Sequence, residues 1–225
     1  MLLAQGFYSK LREHLAPRVQ AALQKEAASL ELSRVGTAPE AACPLDLHNV
    51  TGNGVFFKGD CIYQHKLIRF NFTTYDMRRG TDIVNPGTSR CNIMLIAGRA
   101  DGSDHHFLYA RVLGAYHVNV ISPGARVPDY KARSFNFLWV RWYELVDPQS
   151  SGQNNSTLDL VYFPPLHERD SFGFVDPDDV LRGCHILPAF AKGKRKETKV
   201  DVSRCAQDSK DYMQYYVGRS VLVSL

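Results

Sequence analysis

Ser134-Phe-Asn-Phe-Leu-Trp-Val-Arg-Trp-Tyr143 is the most strongly β-favouring window in the chain. It is dense in aromatic and β-branched residues, and both alternating sets are apolar or aromatic. Leu138, Val140 and Trp142 fall on one face, Trp139, Arg141 and Tyr143 on the other. A half-buried edge strand alternates polar with apolar, so a strand apolar on both faces predicts a central position in a sheet. Leu138, Val140 and Trp142 are expected to point inward.

Other stretches outward from this window read as strands. Phe107 to Ile121 is strand-like throughout, with Gly114 as a bending point. Cys91 to Ala97 is a short apolar run that reads as a buried strand. In Leu67 to Tyr75, Ile68, Phe70, Phe72 and Thr74 share the face better suited to a core. Val55-Phe-Phe and Cys61-Ile-Tyr read as two short strands joined by a turn at Lys58-Gly-Asp60. Leu158 to Phe163 and Cys184 to Leu187 add two more, and Asp211 to Val217 reads as a last strand or short helix. Asp176-Pro-Asp-Asp-Val-Leu-Arg-Gly183 reads as one helical turn, with Asp176 as its cap and Pro177 in the first position.

The N-terminal end differs. Phe7, Leu11, Leu15, Val19, Leu23 and Ala27 recur every four residues among charged ones, which predicts a helix to about Leu32, kinked or divided at Pro17. A connecting loop follows from Gly36 to Gly54. The expected organisation is therefore residues 1–54, helix and loop, and residues 55–225, a mainly β, barrel-like module of α+β class. Many short strands with helix at one end favour a small twisted antiparallel barrel over a parallel sheet.

Composition narrows the function. Of 225 residues, 44% are hydrophobic, enough for a core, and no run approaches a membrane span. Met1 to Leu15 lacks a basic start followed by an apolar run, so no secretory signal is expected. Five scattered cysteines without a C-x-x-C pair argue against a disulfide framework or zinc knuckle, and for a reducing, intracellular compartment. Lys and Arg number 27 against 23 Asp and Glu. The segment Lys192-Gly-Lys-Arg-Lys-Glu-Thr-Lys199 holds five basic residues and one acidic, and so carries the whole net charge of +4. Lys192, Lys194, Arg195, Lys196 and Lys199 are thus candidates for nucleic-acid contact or nuclear import, or form a solvated loop.

Several stretches resemble the C-terminal accessory region of proteins encoded by Plavaka-type DNA transposons of mushroom-forming fungi. They include Phe7 to Leu15, Ile62 to Lys66, Phe70-Asn-Phe-Thr-Thr-Tyr-Asp-Met-Arg-Arg79 with Asn85-Pro86, Tyr109 to Gly114, Leu138 to Trp142, Phe172 to His185 and Leu187 to Ala191. That resemblance implies an accessory region lying after the transposase catalytic part, with other transposon-encoded proteins as partners. This chain departs from the family in having Gly80-Thr81 after Arg-Arg, where an acidic or amide pair is usual, and Gly87-Thr88 after Asn-Pro, where an Arg is usual. A looser resemblance, carried by Tyr109-Ala-Arg-Val-Leu113, Phe137 to Tyr143, Asp159 to Tyr162 and Val180 to Leu187, is to bromo-adjacent homology domains. It implies a twisted β-barrel, a chromatin module that binds histone tails or other proteins.

The densest polar cluster is Asn71, Tyr75, Asp76, Arg78, Arg79 and Asn85. Paired arginines after a strand can grip phosphate or carboxylate, or staple a long turn. Tyr109, Trp139, Arg141 and Tyr143 complete the ligand candidates: aromatics at a rim form a cage or a base platform, and otherwise they are core. For catalysis, Asp76, Asp82, Asp176, Asp178 and Asp179 lack convincing spacing for divalent metals. Cys184 and His185 are strand neighbours on opposite faces. His105, His106 and His117 read as surface residues. No cofactor or metal is expected. The sequence therefore points to a non-catalytic, nuclear binding module with a histone tail or DNA as partner. A metal-dependent nuclease or transposase fragment and a purely structural or oligomerisation domain are its rivals.

Overall fold

A computed structural model describes residues 6–33, 54–73, 77–98, 106–122, 130–146, 158–168, 170–195 and 211–218. The chain is mainly β with one N-terminal helix. Helix α1 spans Phe7–Ser33, and among the described residues ten strands follow: β1 Phe56–His65, β2 Ile68–Thr73, β3 Arg79–Val84, β4 Asn92–Ile96, β5 Phe107–Ile121, β6 Arg133–Leu145, β7 Leu160–Tyr162, β8 Phe172–Val175, β9 Val180–Pro188 and β10 Tyr215–Gly218. Eight strands form one sheet in the order β1-β5-β4-β9-β10-β7-β6-β8, and β5 also pairs with β6. Strands β2 and β3 make a separate antiparallel pair. Among the described residues no helix is long and apolar enough to cross a membrane.

The chain forms two compact units, residues 1–63 with 117–135 and residues 64–116 with 136–225. In the first, α1 buries Leu11, Leu15, Ala16 and Val19. Spacings of three and four place these on one helix face. The helix runs through Pro17 as a single element rather than two. Arg12 lies over the Phe57 ring at 5.6 Å and Arg18 over Phe135 at 5.6 Å. The Lys58-Gly-Asp60 signal marks a kink inside one continuous strand. Gly59 and Asp60 take φ of 66° and 50° in the middle of β1, as Gly and Asp tolerate better than most residues.

Among the described residues, the second unit holds two apolar clusters. One gathers Phe70, Val84, Ile93, Leu95, Ala110, Val112, Ala115, Leu138, Val140 and Val175, with Ile68 and Trp142 packed against it. The other gathers Met94, Tyr109, Tyr143, Val161, Phe163, Cys184, Tyr215 and Val217. The two faces of β6 feed different clusters, which is why its sequence is apolar on both. Leu138 and Val140 point inward as the alternation predicts, and Trp142 is half-buried against the same cluster. Strands β3 and β8 are additions to the expected set. The single helical turn expected over Asp176–Gly183 shrinks to a 3-10 turn at Pro177–Asp179, capped by Asp176 Oδ1, which accepts from the Asp178 amide at 3.1 Å. From Val180 the chain is already strand β9.

Candidate nucleic-acid interface

The predicted site residues separate into an interior group and a surface group. Tyr109, Arg141 and Tyr143 belong to the interior. Arg141 is 0% exposed, and its Nη1 donates to Asp211 Oδ2 at 2.6 Å. Arg111 Nη1 donates to the other oxygen of Asp211 at 3.2 Å, and the Tyr215 hydroxyl donates to that same oxygen at 3.2 Å. Two guanidiniums thus share one carboxylate, and the excess cation is met by an aromatic ring. Arg141 lies 3.8 Å and Arg111 4.4 Å from the Phe163 centroid, and Tyr143 stacks on Phe163 at 4.0 Å. The negative face of a ring attracts a desolvated guanidinium. Burial pulls the Arg141 pKa down against the pull of Asp211. For Arg111 burial also acts downward but is outweighed by Tyr143 and Asp211, so its pKa is raised. Both stay charged, because guanidinium loses its proton far above any working pH.

Burial also raises the Tyr143 hydroxyl, which donates to Asn92 Oδ1 at 3.1 Å. Tyr109, 1% exposed, donates to Asp159 at 2.6 Å. Of the two alternatives for Trp139, Arg141 and Tyr143, a rim cage or core, burial places Arg141 and Tyr143 with the core. Arg141 and Tyr143 are sealed inside, and Trp139 is half-buried with Phe172 at 6.3 Å. The Asp211 side chain is 2% exposed. Its work is to join β5, β6 and the approach to β10.

The Asn71–Asn85 cluster divides. Asn71 Oδ1 accepts from the Thr81 hydroxyl across β2–β3 at 3.0 Å. Arg78 and Arg79 are exposed, and Arg79 opens β3 opposite Thr73. Asn85 makes a turn, its Oδ1 accepting from the Gly87 amide at 2.9 Å. Tyr75 and Asp76 lie outside the described residues. The staple that holds the hairpin is Asp82, whose Oδ2 accepts from Arg182 Nε at 3.2 Å and from the Gly183 amide at 3.1 Å. Arg182 also lies 3.8 Å over the Phe72 ring.

Cys184 is buried and His185 exposed, on opposite faces of β9. Burial pushes the Cys184 thiol up to about 12. His117 stacks on Tyr63 at 4.6 Å, and His105 is outside the described residues. Among the described residues, no three His, Cys, Asp or Glu side chains gather as metal ligands.

The basic segment is different from the loop that composition suggests. Phe190–Lys192 is a 3-10 turn, and Lys194 bridges Tyr212 in antiparallel fashion. The Met213 amide donates to Gly193 O at 3.1 Å, the Arg195 amide to Asp211 O at 2.9 Å, and Arg195 Nη1 to Phe163 O at 3.1 Å. The backbone of Lys192 to Arg195 is thereby pinned beside Asp211–Gln214, while all three cationic side chains are exposed. Lys196 and Lys199 lie outside the described residues. Phe190 is 72% exposed and meets the Tyr212 ring edge-on at 5.4 Å, and Lys194 Nζ stands 5.8 Å over that ring. Leu187 and Met213 are also exposed, at 58% and 50%. An exposed ring with cations beside it can stack a base and neutralise the adjoining phosphates. Phe190 and Tyr212 were not singled out by the sequence, although a Phe two residues ahead of a basic run is a readable cue. No known family, curated protein or solved structure matches the chain.

Proposed function

We propose that the chain is a non-catalytic nucleic-acid-binding module of the nucleus, derived from a DNA-transposon protein. The observation that carries the reading is the Phe190 ledge: an aromatic ring left in water on a pinned backbone, followed directly in the chain by exposed Lys192, Lys194 and Arg195. A ring exposed in this way offers a face on which a base of any identity can stack. Charge favours nucleic acid over a histone tail, because lysine-rich tails carry the same sign as the ledge. The transposon-derived origin and nuclear site rest on the sequence resemblance and the basic segment. A barrel of the bromo-adjacent homology type is supported by the β5–β6 pairing, which returns the order β5-β4-β9-β10-β7-β6 to its start.

A single-stranded oligonucleotide titrated into the full chain at several salt concentrations tests this. Phe190→Ala removes the stacking surface and should weaken binding about thirtyfold, the middle of the range for losing one stacked base. Replacing Lys192, Lys194 and Arg195 by Gln should flatten the slope of log K against log salt by about 2, since each phosphate contact on a single strand contributes about 0.7. Unchanged affinity and slope in both variants would sink the proposal. The rival reading, an oligomerisation surface built on Leu187, Phe190 and Met213, predicts instead that Phe190→Ala lowers the sedimentation coefficient.

A further inference from the structure

A cavity of about 510 Å3 lies within the second unit, away from the residues of the ledge, and takes its lining from β2, β5, β6 and the 3-10 turn before β9. The apolar part of its lining includes Phe70, Phe137 and Leu138, all three buried. Its walls carry two opposite charges, Arg69 and Asp178, and neither has an ionic partner among the described residues. The volume falls in the range of small-ligand sites and exceeds what a base alone fills.

We propose that this groove holds one guanine nucleotide, with Asp178 reading the base and Arg69 holding the phosphate. The inference deepens the nucleic-acid reading and rests on it for the natural ligand, a guanine in a bound strand. An ionised carboxylate only accepts hydrogen bonds. Guanine is the base that presents two adjacent donors, its ring N–H and its exocyclic amine. Adenine and cytosine set an acceptor beside their amine, and uracil flanks its single N–H with carbonyls. The Asp176 cap holds the Asp178 amide, so the turn that carries the carboxylate is fixed. Arg69 and Asn71 alternate on the same outward face of β2. Because Thr81 occupies the Asn71 carbonyl oxygen, the Asn71 amide nitrogen is left to donate to the guanine carbonyl. Tyr116, half-buried and stacked on Phe137 at 5.4 Å with 23° between the rings, supplies an aromatic wall.

Calorimetric titration of the full chain with GMP, AMP, CMP and UMP tests the groove without any strand. GMP should bind at least tenfold more tightly than the other three. Asp178→Asn should reduce that preference to under twofold, and Arg69→Ala should weaken all four nucleotides alike. Phe190→Ala should leave GMP affinity unchanged. Guanine preference that survives in Asp178→Asn, equal affinity for all four bases, or no mononucleotide binding by a chain of normal melting temperature would each overturn the proposal. GMP selectivity together with oligonucleotide binding indifferent to Phe190 would uphold the groove and reject the ledge. The converse pair of results would reject the groove alone.

Discussion

Asp211 is the residue on which the interior depends. Its carboxylate is 2% exposed and faces two guanidiniums, one of them fully buried. Removing one partner of a buried ionic set strands the others, which costs about 3–5 kcal/mol. Asp211→Ala should therefore lower the urea midpoint by that equivalent, whereas exposed Asp179→Ala should leave it nearly unchanged. Equal midpoints for the two variants would show that the network carries no stability. Alternation along β6 singles out Arg141 and Tyr143 and leaves open whether their face borders a rim. It cannot supply Asp211, which lies 70 residues further on, nor Arg111 on a different strand. Periodicity reports which residues share a face, and it carries no information on what that face meets.

Among the elements, the β2–β3 hairpin shows both sides of that limit. Strand β2 was readable from alternation, and Phe70 is buried as its pattern requires. Strand β3 was not, because Arg79-Gly-Thr-Asp-Ile-Val84 mixes charges and glycine and becomes a strand through its partner. The same holds for β8, a four-residue strand interrupted by Gly173. Gly80 sits directly opposite Phe72. The Phe72 ring lies over the bare glycine, so a Cβ there would overlap it. That ring in turn carries the Arg182 guanidinium, which binds Asp82. Gly80→Ala should thus displace the ring and loosen the staple, costing about 1–3 kcal/mol. Hydrogen exchange should show β2 and β3 amides losing protection while those of β10 keep theirs. A uniform loss across the chain, or none, would separate Gly80 from the staple.

At the scale of the whole molecule, charge is distributed as composition indicated, with the excess in residues 192–199, but the first four residues of that segment are tied down rather than free. Elsewhere, one ion pair gives stability a defined pH dependence. Glu26 on α1 accepts from Arg133 Nη2 at 2.7 Å and from Arg133 Nε at 3.1 Å, with Lys131 Nζ at 3.3 Å. The Arg133 hydrogen bond holds the Glu26 carboxyl below the usual carboxylate range. The folded chain therefore binds this proton less readily than the unfolded chain does. The contribution is complete above the unfolded pKa of about 4.3 and is lost as pH falls through the lowered folded value. Glu26 is 39% exposed, so water and salt screen the pair and its contribution is modest. Glu26→Gln should melt at a lower temperature than the parent at pH 7, and the gap should close between about pH 4.3 and more acid values, where the parent's carboxyl also becomes neutral. A gap that stays constant with pH would show that Glu26 acts through packing and not through its charge.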